Sequence, residues 1–126
     1  MKILGIDYGD KNIGLSLAED KSIAVPYKII NNTNKEEVLK KLITLIKEEQ
    51  IELIVIGMPY NLDGKENKRT KITRDFISFL EHNLDFKIKT INEQFTSKMY
   101  EKMGLKENID KHSATAILDT YLEKNK

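Results

Sequence analysis

The chain has 126 residues with 21 Lys and Arg against 20 Asp and Glu, a net charge of +1 that excludes a general polyanion binder and leaves any nucleic-acid contact to local clusters of charge. With 40% hydrophobic and 33% charged residues it has the composition of an ordinary soluble protein, and its length suits a single domain, 1–126, burying roughly two thirds of its unfolded surface. The absence of cysteine excludes disulfides and thiolate chemistry and fits a cytoplasmic protein. Met1 and Lys2 lead into a strand-like run rather than the apolar core of a leader, and the most apolar stretch, 51–58, is too short to span a bilayer.

In chain order, residues 2–8 and 13–18 predict two strands joined by a turn at Gly9, Asp10, Lys11 and Asn12. Residues 23–30 predict a third strand, interrupted by Pro26. Thr33, Asn34, Lys35 and Glu36 form a capping-box pattern that starts a helix, and Val38, Leu39, Leu42, Ile43, Leu45 and Ile46 follow at helical spacing. The β-branched run at 52–56 predicts a strand buried on both faces. A polar loop, 57–67, holds the turn formers Pro59, Asn61, Asp63 and Gly64. A helix at about 69–84, a strand at 86–91 and helices near 96–103 and 110–123 complete the chain. Three strands followed by alternating helices and strands predict an α/β fold with a five-stranded mixed sheet, antiparallel at its start and flanked by helices.

Three acidic residues stand out. Asp7 ends the first apolar strand between Gly5, Gly9 and Gly14, a setting that suits a metal or phosphate site and equally a plain hairpin turn. Glu93 lies just past the last strand, where an open sheet leaves a crevice. Asp110 heads an apolar stripe of Ala114, Ile117, Leu118 and Tyr121 at helical spacing, which turns it towards the sheet; alternatively it caps its own helix. If the fold brings these three carboxylates together they repel one another unless cations lie between them, and oxygen-only ligands suit Mg²⁺ or Mn²⁺ rather than zinc. Lys65, Lys68, Arg69, Lys71 and Arg74 cluster around the 57–67 loop, offset locally by Asp63, Glu66 and Asp75. The cluster reads as a solvated helix face or, given its place after a strand end, as a phosphate-backbone contact. Lys11, near Asp7, is a smaller candidate of the same kind. Tyr60 could stack a base or simply pack. His82 reads as a surface residue, Met99 and Met103 as core contacts, and Thr96 or Ser97 as a helix cap, while His112, close to Asp110 but off the apolar stripe, is either a surface residue or an assistant to the chemistry.

Four ordered motifs make the chain similar to the YqgF family, also called RuvX or Holliday junction resolvase. Gly5-Ile-Asp7-Tyr-Gly9-Asp-Lys11-Asn-Ile-Gly14 resembles its opening motif. Val55-Ile-Gly57-Met-Pro59-Tyr-Asn61-Leu-Asp63-Gly64 resembles its glycine–proline loop. Asn92-Glu93-Gln94-Phe95-Thr96-Ser97 stands in the place of its Asp-Glu-Arg-Leu-Thr-Thr/Ser motif. Ile109-Asp110-Lys-His-Ser-Ala114-Thr-Ala-Ile117-Leu118 resembles its closing helix.

The resemblance implies an RNase H-like fold and a hydrolase cutting phosphodiester bonds in maturation of the 5′ end of pre-16S ribosomal RNA. It assigns Asp7, Glu93 and Asp110 as an acidic triad holding two divalent ions about 4 Å apart, with Asp7 bridging. Two departures stand out: Asn92 and Gln94 replace an acid and a base, and Asn12 replaces a second cation. Neutral side chains cannot supply the bidentate phosphate contacts of arginine. Expected partners are ribosomal RNA precursors or branched DNA, and a pre-ribosome, with the protein a monomer or weak dimer. The other readings are a resolvase of four-way DNA junctions, which would need a symmetric dimer for paired cuts, and a non-catalytic nucleic-acid or ribosome-binding module. An ATPase of the sugar-kinase type shares the Asp-x-Gly opening but needs a second domain.

Overall fold

The computed structural model describes residues 1–19, 23–61, 63–92 and 109–124, with the side chains of all of these but 109–113. Its elements are β1 (Lys2–Tyr8), β2 (Asn12–Glu19), β3 (Val25–Asn31), α1 (Lys35–Glu49), β4 (Leu53–Met58), α2 (Lys68–Asn83), β5 (Ile88–Asn92) and α3 (Ile109–Lys124). The strands form one five-stranded sheet in the order β3-β2-β1-β4-β5. Short connections allow β1, β2 and β3 to pair antiparallel, whereas β1, β4 and β5 pair parallel because α1 and α2 carry the chain back between them. The mixed sheet expected from the element order is therefore present, with β1 at its centre.

Period-2 alternation divides the sheet between two cores. On one face Leu4, Ile6, Ile13, Leu15, Ile54 and Ile56 pack against Val38 and Leu42 of α1 and Phe76 and Leu80 of α2. On the other, Ile3, Ala18, Leu53, Val55 and Ile91 pack against Ile117 and Leu118 of α3. The expected stripe on this last helix is real: Ala114, Ile117 and Leu118 are fully buried, and Tyr121 packs at the margin of the same core. All six residues of β4 are buried, as its uninterrupted apolar run predicts.

Local chemistry shifts several boundaries. The cap of α1 is Asn34, whose side chain accepts the Glu37 N–H at 2.9 Å, rather than Thr33. β3 begins at Val25 rather than 23, and its pairing shifts register between Leu15 and Ser16, opposite Pro26. β4 continues through Gly57 and Met58, two residues that sequence alone assigns to the loop, because they pair with Ile91 and Asn92 of β5. α2 starts at Lys68 with a reciprocal capping box between Asn67 and Thr70. The helix expected at 96–103, with Thr96, Ser97, Met99 and Met103, lies outside the described residues. Among the described residues no helix is long and apolar enough to cross a membrane.

Candidate active site at the end of the central strand

Asp7 is the penultimate residue of β1 and is half-buried. Strand alternation puts it on the same sheet face as Gly5, two residues earlier, and that face is covered by α3. The covering is close. Gly5 pairs with Ser16 across β1 and β2, and the Ser16 hydroxyl donates to the Ala114 carbonyl of α3 at 2.7 Å in a buried contact. A Cβ on Gly5 would stand 2.4 Å from Ser16 Oγ and 2.6 Å from Leu118 Cγ, so only glycine lets the helix settle here.

That contact fixes the direction of α3. Its later residues Ile117 and Leu118 share a core with Ile3 and Leu53, at the beginnings of β1 and β4. The helix therefore runs back along β1, and its first turn lies towards the Asp7 end. Asp110 precedes Ala114 by one helical turn, about 6 Å along the axis, while Asp7 lies two residues beyond Gly5, a similar distance along the strand. The backbone of Asp110 is thus carried to the level of Asp7, although its side chain, like that of His112, lies outside the described residues. Glu93 also lies outside them; it follows Asn92, the last residue of β5, which pairs with Met58 at the end of β4. The ends of the three parallel strands stand side by side, the position where an open sheet forms its crevice. Among the described residues, which include the side chain of only Asp7 from the expected triad, no three acidic or histidine side chains converge.

The opposite rim is built by the described residues of the loop after β4, 59–61 and 63–67, and the start of α2. Thr70 Oγ1 donates to the Pro59 carbonyl at 2.6 Å, and the Asn67 amide donates to the same carbonyl at 3.0 Å and to Asn61 Oδ1 at 2.8 Å. Gly64 turns the loop with φ of +83°, a left-handed conformation that favours glycine. The motif residues Pro59, Asn61 and Gly64 therefore shape a loop fastened to the first turn of α2.

The predicted basic residues divide into two groups. Lys11, Lys65, Lys68 and Lys71 are exposed, and none has an ion-pair partner among the described residues. Arg69 is half-buried, and its guanidinium reaches from α2 back to the end of β1, donating to the Tyr8 carbonyl and to the carboxylate of Asp10. The Tyr8 ring stacks on Phe76 with centroids 3.9 Å apart, holding the same two elements together. Arg74 pairs with Glu66. Tyr60 packs against the main core, so the packing alternative holds for it. His82 is exposed and bonded to the Ser78 carbonyl at 2.8 Å. Sequence reasoning missed Asp10, whose contact with Arg69 spans 59 residues, and no local signal marks it.

The arrangement sets an acidic strand end on the α3 face beside a cationic rim from α2. A cavity of about 550 Å³ lies elsewhere, between β3 and α1, lined by Ile29, Lys40, Lys41 and Leu45 among others. Among the described residues its lining does not include Asp7, the one acidic motif residue whose side chain is described.

The comparisons with known proteins bear on family and fold. The family model of RuvX, Holliday junction resolvase, matches residues 1–124. A Maridesulfovibrio salexigens protein named "Putative pre-16S rRNA nuclease" is 35% identical over 132 residues, covering 97% of this chain and 98% of its own length. A protein of the same name from Sulfurihydrogenibium sp. is 38% identical over 133 residues, with 98% and 90% coverage. Among solved structures, Thermus thermophilus RuvC in complex with a Holliday junction substrate superposes with a TM-score of 0.67 at 12% identity, covering 99% of this chain and 95% of that one. The fowlpox virus Holliday junction resolvase gives 0.59 at 13%, with 98% and 99% coverage. These structural likenesses are likenesses of fold, which is RNase H-like. With a family model spanning 1–124 and relatives above 30% identity along nearly their whole length, the chain belongs to the RuvX family of nucleases.

Proposed function

We propose that this protein is a metal-dependent nuclease that hydrolyses phosphodiester bonds in 5′-end maturation of pre-16S ribosomal RNA in the cytoplasm. The observation that carries the reading is the seating of α3 on Gly5 and Ser16, which brings the first turn of that helix to the strand end that bears Asp7. The names of the relatives at 35% and 38% identity supply the substrate class. Asp7, Glu93 and Asp110 would hold Mg²⁺ or Mn²⁺; an all-carboxylate donor set suits these hard cations. When bound, such ions activate water and stabilise the leaving oxygen of a phosphodiester. The protein's own part is to hold the three carboxylates at one place and to present Lys11, Lys65, Lys68, Arg69 and Lys71 to the nucleic-acid backbone. Phosphates held by the cationic rim keep the scissile bond over the acidic end of β1, where phosphate and carboxylate would otherwise repel.

A second reading, cleavage of branched DNA, is favoured by the description of the family model and by the likeness to a junction-bound RuvC. One assay separates them: labelled single-stranded pre-ribosomal RNA and a DNA four-way junction, each with Mg²⁺ or Mn²⁺ and with EDTA, wild type beside Asp7→Asn. Metal-dependent cutting of the RNA that disappears in Asp7→Asn, with an unchanged circular dichroism spectrum, is expected. Preferential cutting of the junction moves the protein to the second reading. Turnover retained by Asp7→Asn would overturn the acidic triad.

A further inference from the structure

Arg69 has two partners of different kinds. The Tyr8 carbonyl belongs to a strand backbone and cannot move away, whereas the Asp10 carboxylate sits on a turn residue whose side chain is 72% exposed. The turn itself is pinned from below, since Asn32 donates its amide to the Gly9 carbonyl at 2.9 Å and its N–H to the Lys11 carbonyl at 2.8 Å. The backbone on both sides of Asp10 is thus held in place, three residues beyond Asp7, while its side chain stays exposed. An exposed ion pair of this kind is weak, because water competes for both partners. A phosphodiester carries the same single negative charge as a carboxylate and offers two oxygens to the guanidinium fork in the same way.

We propose that Asp10 is a built-in competitor for the nucleic-acid backbone: it occupies Arg69 in the free protein and yields it to a phosphodiester adjoining the one to be cut. The Tyr8 carbonyl keeps the guanidinium beside β1 while the exchange takes place, so the arginine is already in position when nucleic acid arrives. Non-specific anions must displace a carboxylate carried on a backbone held beside the arginine, while a polynucleotide held by several other contacts does so readily. Arg69 is in this scheme a binding residue, and Asp10 sets its threshold. The inference rests on the reading that nucleic acid is held at the end of β1.

The test is equilibrium binding of a short labelled single-stranded RNA at low salt in EDTA, where nothing is cut. It compares wild type, Asp10→Asn, Arg69→Gln and the double variant, each checked by thermal melting. Asp10→Asn should bind about two- to fivefold tighter, the range an exposed ion pair allows. Arg69→Gln should bind about tenfold weaker. In the Arg69→Gln background the Asp10→Asn gain should disappear. Asp10→Asn binding no tighter than wild type, or gaining equally with Arg69 absent, would overturn the proposal, the second result reducing Asp10 to a general charge effect. If Asp10→Asn does not fold, Asp10→Ser makes the same test at this exposed turn. Failure of the nuclease reading is seen separately, as binding without cleavage once Mg²⁺ or Mn²⁺ is restored.

Discussion

Replacing Gly5 with alanine tests the architecture of the site at its tightest point. The new Cβ would meet Ser16 Oγ at 2.4 Å, Leu118 Cγ at 2.6 Å and the Ala114 carbonyl oxygen at 3.0 Å. Carbon contacts settle near 3.5–4.0 Å, so α3 must lift by about 1 Å or Leu118 and Ser16 must both swing away. Overpacking of this kind costs about 1–3 kcal/mol. Strain on the buried Ser16–Ala114 hydrogen bond adds about 1 kcal/mol. The total, roughly 2–4 kcal/mol, is a large part of the 5–15 kcal/mol that usually holds a domain of this size. Urea unfolding of Gly5→Ala should show a lower midpoint with an unchanged slope. A 1 Å displacement of the helix that carries Asp110 should lower cleavage by about 100-fold. In a Ser16→Ala background, where the nearest obstacle is gone, Gly5→Ala should cost less than it does alone, though Leu118 still opposes it. Gly5→Ala within about 0.5 kcal/mol of wild type and cutting at the wild-type rate would refute the claim that α3 positions the site by resting on Gly5.

Neutralising Lys65, Lys68 and Lys71 together should weaken RNA binding and lower the slope of log affinity against log salt by about 2, near 0.7 for each single-strand phosphate that no longer meets a cation; an unchanged slope would return these lysines to a solvated face. The Lys2–Glu49 pair, 2.8 Å apart, ties β1 to the end of α1. Its hydrogen bond holds the Glu49 carboxyl below its usual value and the Lys2 ammonium above its own. A depressed acid stabilises above its unfolded pKa and loses that contribution as pH falls, whereas a raised base loses it as pH rises. The pair should therefore strengthen the fold between about pH 4.5 and 10.5 and fade on either side, and Glu49→Gln should flatten both flanks of a stability–pH curve. Asp119 works in the opposite sense in acid, because burial raises its carboxyl while the Ala24 N–H, donating to it at 3.2 Å, only partly offsets the effect. Asp119→Asn should be neutral or stabilising at pH 7 and should remove the gain that the wild type shows as Asp119 takes up a proton.

The parts of the fold that are legible in the sequence are those fixed by local periodicity. β1 can be bounded to the residue because its apolar run ends in Asp7, Tyr8 and Gly9, and β4 is recognisable because a continuous β-branched run suits a strand covered on both sides. The stripe Ala114, Ile117 and Leu118 marks the face of α3 that meets the sheet. What cannot be read depends on partners distant in sequence. Gly57 and Met58 look like loop residues until β5 arrives to pair with them. Asn34 rather than Thr33 caps α1 because either side chain could do so, and the entering backbone decides between them. Arg69 looks like one more charge on a solvated helix; only the packing of α2 against β1 turns it onto Tyr8 and Asp10.

The central place of β1 explains why so much of the site gathers at one strand end. It pairs antiparallel with β2 on one side and parallel with β4 on the other, so its end meets both the tight turn into β2 and the loop by which β4 leaves for α2. Strand geometry then sends neighbouring residues in opposite directions. Asp7 faces α3, while the ring of Tyr8 faces Phe76 of α2 and its carbonyl holds Arg69. An acidic group, Asp7, and a cation, Arg69, can thus stand at one strand end without neutralising one another, because the sheet separates the elements that support them. Asp10, where the strand has ended and alternation no longer applies, is the residue free to reach across and occupy the arginine. In the proposed function both charges act on the same phosphodiester, and the two faces of one sheet are where Asp7 and Arg69 would meet it.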